Sequence, residues 1–186
     1  MNFKPILIVS GEPNSIFLEI FFKALKSKKI KSPIILISSY NLIKLQMNKL
    51  KLKKKIKLVD PERIDEYELN NKYLNLININ YKQSKAFEKI SKKSNKYIEN
   101  SFKIAFKILN SGITKKFING PVSKKHFLGS KFLGITEYIS KKFFIKKNAM
   151  LIYNKELSVC PITTHLPLKR VTNQIKKKNI IEKIHL

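Results

Sequence analysis

The sequence has few of the residues that stabilise small secreted proteins or mark membrane proteins. Its 186 residues include one cysteine, five glycines and no tryptophan. The single cysteine, Cys160, excludes an internal disulfide framework and suits a reducing compartment. Because Cys160 lies in an apolar stretch, we expect it to be a buried small hydrophobic residue rather than a nucleophile. No apolar run reaches the roughly 20 residues that a membrane-spanning helix needs.

Arginine is nearly absent from this strongly basic chain. The formal net charge is +27, yet Arg63 and Arg170 are the only arginines. Proteins that read bases or phosphates favour the bidentate guanidinium group, whereas the lysines here are spread over the whole length among many asparagines and isoleucines. We therefore interpret them as solvated surface lysines and expect neither a nucleic-acid nor a membrane partner. Nucleic-acid binding stays an alternative, and its affinity would fall steeply with salt.

Length and composition favour a globular α/β protein. The hydrophobic fraction is 43%, which is enough for a substantial core. Residues 1–5 lead directly into a β-rich run without a signal-peptide cleavage pattern, so we expect a cytoplasmic protein. We find no internal repeat, no dinucleotide G-x-G-x-x-G and no P-loop.

The first third of the chain alternates apolar runs with helical periodicity. Residues 3–10 and 32–38 are typical of strands buried on both faces, and residues 55–59 should form a third short strand. Residues 15–26 and 40–50 have helical spacing. This order predicts a mostly parallel sheet with helices on both faces.

The remaining segments are predicted in the same way. Five acidic residues lie in a connection that we interpret as solvated rather than as a cation site, and one asparagine-rich strand is expected to be half-exposed. A long core helix, a further strand, a hairpin and a last helix should follow. The segments are 60–71 (connection), 73–79 (half-exposed strand), 84–110 (helix), 115–119 (strand), 149–153 with 156–162 (hairpin) and 169–184 (helix).

Several turns follow directly on predicted strands, where α/β proteins gather their ligands. Gly120 permits a close backbone approach, and Lys124 in the same turn is placed to hold an anion such as a phosphate. Thr136 is expected to cap a helix that runs to residue 142. His165 follows two threonines and is either a metal ligand, a proton carrier or a loop histidine bonded to a backbone carbonyl.

Four of these turns occur in a characteristic order, namely Gly11–Pro13, Asn119–Lys124, Gly134–Glu137 and Thr163–Leu168. Together they resemble the 4-hydroxythreonine-4-phosphate dehydrogenase family of pyridoxal phosphate biosynthesis. The resemblance implies an α/β fold like that of isocitrate and isopropylmalate dehydrogenases. It also implies that residues 1–186 form the N-terminal portion of such an enzyme, with the C-terminal portion absent.

The resemblance further implies a homodimer that oxidises 4-phosphohydroxy-L-threonine with NAD. The resulting β-keto acid would lose CO2 to give 3-amino-2-oxopropyl phosphate. A divalent metal, either zinc, magnesium or cobalt, would polarise the alcohol and the ketone. By this resemblance His165 is one of three metal-ligand histidines, and Thr136, Lys124 and Gly120 line the substrate cleft, while the cofactor-binding residues are not identified.

The sequence also departs from the family pattern. Ile135 stands where the family usually has histidine, and the residues after Gly11–Pro13 are not glycine-rich. The other two metal histidines have no match, since neither His126 nor His185 corresponds to them. Two alternatives therefore remain: a sister dehydrogenase for a phosphorylated four-carbon sugar acid, and a non-catalytic binding module that kept the fold.

Overall fold

The chain forms two compact units, Met1–Gly129 and Ser130–Leu186. The structure is a computed structural model that describes residues 3–27, 29–129 and 131–186. Within these ranges no helix has both the length and the apolar character to cross a membrane.

The first unit is built on a five-stranded sheet in which every described pairing is parallel. The strand order is β3-β4-β2-β1-β5, so the first strand of the sequence lies between the second and the fifth. This topology confirms the predicted parallel α/β fold. The strands are β1 (Ile6–Val9), β2 (Ile34–Ser38), β3 (Ile56–Leu58), β4 (Leu74–Asn78) and β5 (Lys116–Asn119).

Helices cover both faces of this sheet. The helices are α1 (Phe17–Ser27), α2 (Tyr40–Lys49) and α3 (Asn95–Asn110). Side chains of α1 and α2 pack with Ile8, Leu36 and Leu76 in one apolar cluster. The alternate residues of each strand point to the other face of the sheet, where α3 lies. There the ring of Phe102 on α3 lies 6.2 Å from the ring of Phe117 on β5. Burial of both faces explains why β1 and β2 are nearly continuous apolar runs.

Hydroxyl side chains set where two helices begin. Ser39 precedes α2, and its Oγ accepts a hydrogen bond from the N–H of Leu42 at 3.4 Å. Ser15 Oγ accepts from the N–H of Phe17, the first residue of α1, at 3.3 Å. Both serines satisfy amide groups that have no partner within the helix, which is the usual reason for serine at these positions.

Two predictions in the first unit are corrected by the structure. The strand expected to be half-exposed is buried along most of β4, because Asn75 is fully buried and donates to the carbonyls of Ile34 (2.8 Å) and Asn70 (3.0 Å). The long helix begins at Asn95 rather than at residue 84. Residues 84–91 are irregular because their carbonyl and amide groups bond to other elements, as described below.

The second unit has a much smaller core. Its helices are α4 (Ile135–Lys142), α5 (Leu168–Val171) and α6 (Lys177–Ile184), and among residues 131–186 only Tyr138 is buried. The predicted hairpin is reduced to one antiparallel bridge, in which the N–H groups of Ile152 and Val159 donate to each other's carbonyls at 2.8 and 2.9 Å.

Other predictions for this unit are also corrected. Cys160 is exposed rather than buried, and the single helix expected over 169–184 is divided into α5, a turn at Thr172–Gln174 and α6. Large apolar side chains are exposed, including Phe144 at 90% and Leu168 at 86%. Long regular strands and helices gain most of their stability from packing, and the described residues offer little to pack against.

Candidate functional site

The carboxyl ends of β1 and β5 are joined by two glycine-containing turns. The N–H of Gly120 donates to the carbonyl of Val9 at 2.7 Å, and the N–H of Glu12 donates to the carbonyl of Pro121 at 2.8 Å. A Cβ on Gly120 would lie 2.1 Å from the Ser10 carbonyl oxygen, and one on Gly11 would lie 2.3 Å from the Pro121 oxygen. Only glycine permits this approach. Gly11 also has a φ of +73°, in the left-handed region.

Glu12 is a buried carboxylate at the start of α3. Its side chain is 3% exposed, and its Oε2 accepts a hydrogen bond from Ser94 Oγ at 2.8 Å. The backbone N–H of Asn14 donates to Oε1 at 3.3 Å. Ser94 immediately precedes α3, so the carboxylate lies beside the positive end of the helix dipole. These contacts stabilise a negative charge that is otherwise expensive to bury.

The segment 83–88 is held against the turn after β1 by two amide side chains. Asn14 Oδ1 accepts from Gln83 Nε2 at 2.9 Å and from the N–H of Glu88 at 2.8 Å. Gln46 Nε2 donates to the carbonyls of Pro13 at 2.8 Å and Ala86 at 2.9 Å. These hydrogen bonds are the reason that this segment does not extend α3 toward its N-terminus.

A phenol connects the ends of β1 and β2. The hydroxyl of Tyr97, on α3, is 2.9 Å from Ser10 Oγ and 3.1 Å from Ser38 Oγ. Burial raises the pKa of the Tyr97 phenol, although its serine partners lower it in part. The Tyr81 ring lies 5.0 Å from the Tyr97 ring, and the pKa of Tyr81 is raised by burial and then by the negative charge of Glu12. Both phenols therefore stay neutral at ordinary pH.

The turn after β5 places Lys124 beside this cluster. Ser123 Oγ accepts from the N–H of His126 at 3.1 Å, and Asn95 Nδ2 donates to the His126 carbonyl at 2.7 Å. Residues Lys124–Leu128 form one wide helical turn, closed by the N–H of Gly129 donating to the Lys124 carbonyl at 2.8 Å. Lys124 is exposed. Its ammonium group can therefore meet an anion from solvent.

Gly120 and Lys124, both predicted to line a substrate cleft, lie in this one turn. The N–H of Gly120 is already bonded to Val9, so Gly120 contributes through close packing of the backbone rather than as a hydrogen-bond donor. The surrounding residues Glu12, Asn14, Gln46, Ser94 and Tyr97 were not singled out from the sequence. The sequence did offer one signal for the bonds to the phenol, because a serine lies at the carboxyl end of each of two buried strands: Ser10 directly after β1 and Ser38 as the last residue of β2.

Thr136 and His165, the other two predicted site residues, lie in the second unit. Thr136 is exposed and is the second residue of α4, whose N-cap is Gly134; the prediction that Thr136 caps this helix is therefore wrong. His165 is also exposed and has a φ of +57°, a conformation that histidine adopts more readily than most residues. Both residues are therefore accessible to solvent.

The donor set needed for a metal centre is incomplete. Across residues 3–27, 29–129 and 131–186, no three histidine, cysteine, aspartate or glutamate side chains converge in the way that a metal ion requires. A catalytic zinc ion usually has three protein ligands, so His165 by itself does not form such a site. The described residues therefore do not complete a metal site by themselves.

Comparison with known proteins places these features in a family. The family model of the pyridoxal phosphate biosynthetic protein PdxA matches residues 29–186. A 4-hydroxythreonine-4-phosphate dehydrogenase from Sulfurihydrogenibium sp. is 30% identical over 184 residues, which are 97% of this chain and 56% of that protein. The D-threonate 4-phosphate dehydrogenase of Salmonella typhimurium is 22% identical over 185 residues, with the same coverage of 97% and 56%.

A solved structure shows the same fold. The crystal structure of a 4-hydroxythreonine-4-phosphate dehydrogenase from Burkholderia phymatum superposes with a TM-score of 0.84 at 16% identity, covering 98% of this chain and 56% of that chain. The chain thus spans little more than half the length of the relatives that it matches. The match over residues 29–186 shows that the chain belongs to the family of the pyridoxal phosphate biosynthetic protein PdxA.

Proposed function

We propose that this chain is the N-terminal portion of an NAD-dependent 4-hydroxythreonine-4-phosphate dehydrogenase. The substrate would be 4-phosphohydroxy-L-threonine, whose secondary alcohol loses a hydride to NAD and a proton to solvent or a base. The β-keto acid would then lose CO2 to give 3-amino-2-oxopropyl phosphate, in the pathway to pyridoxal 5'-phosphate. We place the reaction in the cytoplasm, because a chain with one cysteine suits a reducing compartment.

The observation that carries this proposal is the built turn at Gly120–Lys124. Two backbone hydrogen bonds and two close-packed glycines fix where β5 ends, and the wide turn that follows exposes the Lys124 ammonium. A rigid backbone beside an exposed cation is what binding of a phosphate monoester requires. The position is also the carboxyl edge of a parallel sheet, where ligands bind in folds of this class.

The roles of Thr136 and His165 follow from their chemistry. An exposed threonine hydroxyl can donate and accept hydrogen bonds with a substrate hydroxyl or carboxylate. We assign His165 as one ligand of the divalent metal, with the other ligands supplied from outside the described residues. Since the described residues do not complete that site, we assign no chemical step to the metal. We propose no cofactor-binding residues.

Exposed apolar residues of the second unit favour a homodimer. Tyr153 and Leu157, which lie between the bridged residues Ile152 and Val159, are each 72% exposed. Leu151 (61%) and Ile152 (60%) are exposed as well, and several large exposed apolar residues close together in the chain favour an interface. Pairing with a second copy would cover it.

Ile135 favours one alternative substrate. The family usually has histidine at this position, and isoleucine can neither donate to nor accept from a polar group of the substrate. D-threonate 4-phosphate, which the Salmonella typhimurium relative is named for, has a hydroxyl where 4-phosphohydroxy-L-threonine has an amine. A site that lost one polar side chain would discriminate less between these two groups.

The test uses this chain joined to the segment that the Sulfurihydrogenibium relative carries beyond the matched region, which we call the completed chain. NADH formation would be followed with each of the two substrates at equal concentration. We expect turnover of 4-phosphohydroxy-L-threonine to exceed that of D-threonate 4-phosphate, and the reverse order would establish the sister activity.

A folded completed chain that binds either phosphorylated substrate without reducing NAD would instead establish the non-catalytic alternative. Binding would be measured by calorimetry on the same preparation. The unmodified Sulfurihydrogenibium enzyme serves as the positive control for both substrates.

A further inference from the structure

A groove of about 830 Å³ lies in the first unit, away from the strand-end turns of the candidate site. Its walls come from one side of α2 and from the residues that precede β3 and β4. The lining residues are Tyr40, Lys44, Met47, Asn48, Leu52, Lys53, Lys54, Lys55, Ile56 and Tyr73. Four of them are lysines and none of them is acidic. Neither the family membership nor the proposed dehydrogenase activity accounts for this groove.

The floor of the groove is apolar. Met47 is 6% exposed and belongs to the core, while Leu52 and Ile56 pack against the same cluster from its edge. Tyr73 is 41% exposed, so its ring offers apolar surface to a ligand. A floor of this type suits aliphatic side chains rather than a fully hydrated polyanion.

Among residues 3–27, 29–129 and 131–186, no carboxylate forms an ion pair with the lysines at the rim. Lys54 Nζ donates to the backbone carbonyl of Asn71 at 2.7 Å, and Lys44 Nζ lies 5.9 Å from the centre of the Tyr40 ring. Both are contacts to neutral groups. Lys53 and Lys55 are exposed. The groove therefore presents positive charge that an acidic ligand would balance.

The groove is bordered by the edge strand β3, which pairs with β4 on one side only. The N–H of Leu74 donates to the Lys55 carbonyl at 2.8 Å, and the N–H of Val59 donates to the Leu76 carbonyl at 2.9 Å. In a parallel ladder alternate residues face opposite neighbours, so the amide and carbonyl groups of Ile56 and Leu58 face outward. An edge with outward-facing backbone groups can pair with another strand.

We propose that this groove binds an extended acidic peptide segment of a partner protein, which adds a strand beside β3. Glutamate or aspartate side chains of the segment would face the lysines, and alternate aliphatic side chains would contact Leu52, Ile56 and Tyr73. A second copy of this chain is a poor occupant, because the net charge of +27 opposes association through a lysine-rimmed edge. A nucleic acid could use the lysines but not the outward-facing backbone of β3.

The test uses a labelled peptide of alternating glutamate and valine, with fluorescence anisotropy at physiological salt. Its controls are the same peptide N-methylated at alternate residues, which cannot form a strand ladder, a lysine–valine peptide of equal length, and oligothymidylate. The groove variant is Lys53→Glu with Lys55→Glu. The matched variant is Lys103→Glu with Lys115→Glu, which makes the same change of net charge on α3 and just before β5.

We expect the groove variant to weaken binding of the acidic peptide by about tenfold or more, and the matched variant by less than about twofold. N-methylation should weaken binding about as much as the groove variant does. An equal loss of affinity in both variants would mean that the net positive charge of the protein, and not the groove, attracts the peptide. That result would overturn the proposal. Unchanged affinity of the N-methylated peptide, or groove-dependent binding of oligothymidylate alone, would overturn it as well.

Circular dichroism would first establish that both variants fold. Should charge reversal unfold the chain, Lys53→Gln with Lys55→Gln removes the charge and leaves an uncharged polar side chain that is only slightly shorter. Loss of binding in that variant supports the proposal, and full retention overturns it. Because the groove lies apart from Gly120 and Lys124, NADH formation by the completed chain should be the same in the groove variant and in the wild type.

Discussion

Substitution of Gly120 by alanine tests whether the two strand-end turns must be in backbone contact. An added Cβ would lie 2.1 Å from the Ser10 carbonyl oxygen and 2.6 Å from its carbon, whereas ordinary contact begins at 3.4 Å. Both are backbone atoms within a buried turn, so no flexible side chain can move aside. The turns must therefore separate by about 1 Å or more.

Separation of the turns weakens two backbone hydrogen bonds, Gly120 to Val9 (2.7 Å) and Glu12 to Pro121 (2.8 Å). Each such bond contributes about 0.5–1.5 kcal/mol net, and the overpacking itself costs about 1–3 kcal/mol. We therefore expect Gly120→Ala to lower the free energy of unfolding of the first unit by about 2–6 kcal/mol. Urea unfolding followed by far-ultraviolet circular dichroism would measure this change as a shift of the midpoint.

Gly112→Ala provides the matched control. Gly112 has a φ of +81°, yet a Cβ there would meet no atom within 4 Å. Its substitution carries only the conformational penalty of the left-handed region, about 1–2 kcal/mol. If Gly120→Ala proves no more destabilising than Gly112→Ala, the turns can separate freely, and the rigid platform that we assign to Lys124 does not exist.

Three further predictions follow from the site. Tyr97→Phe should lower stability by about 1–2 kcal/mol, because the Ser10 and Ser38 hydroxyls lose their partner. The folded pKa of Tyr97 is raised above its unfolded value of about 10, so its contribution is complete below pH 10 and is lost as pH rises through the folded pKa. Tyr97→Phe should therefore make the alkaline loss of stability in urea titrations shallower; an unchanged slope would contradict the burial of a titrating phenol. Asn14→Ala should speed amide hydrogen exchange in residues 83–88 by about tenfold, since two hydrogen bonds to that segment are lost. Asn48→Ala, on the surface of α2, should leave the exchange rates unchanged. Equal exchange rates in the two variants would refute the role of Asn14. In the completed chain, Lys124→Ala should raise KM for the phosphorylated substrate by about tenfold with little change in kcat. Lys125→Ala is the control. An equal rise of KM in that variant would mean that the position of Lys124 within the turn is not what binds the substrate.

The sequence predicted the first unit well because its signals are local and redundant. Strands buried on both faces must be continuous apolar runs, and β1 and β2 were recognised in this way within a few residues. The third strand was predicted at residues 55–59 and is found at Ile56–Leu58. The course of 84–94 was predicted wrongly because it depends on distant partners. Asn14 and Gln46 lie far away in the sequence, and no local pattern indicates that their amides bond to this segment.

The predictions of a full hairpin, of one continuous last helix and of a buried Cys160 failed for a different reason. The apolar runs near Ile152 and Val159 have strand character, but a strand also needs partners and a surface to pack on. Within residues 131–186 Tyr138 alone is buried. The apolar periodicity of these residues therefore marks side chains that could be buried but find no core among the described residues. Exposure of Cys160 has the same origin. In contrast, the turn after β5 that holds Gly120 and Lys124 was predicted from the sequence, because a glycine directly after a strand indicates a turn with a close backbone approach.

The most direct test of the account is the rate of NADH formation by the completed chain before and after His165→Ala. We expect the wild type to oxidise 4-phosphohydroxy-L-threonine with NAD. The His165→Ala variant should keep the circular dichroism spectrum of the wild type and lose about a hundredfold or more in rate, because a metal ligand is removed. An equal rate in the two proteins would contradict the assignment of His165. A folded wild type that forms no NADH would contradict the proposed dehydrogenase function itself.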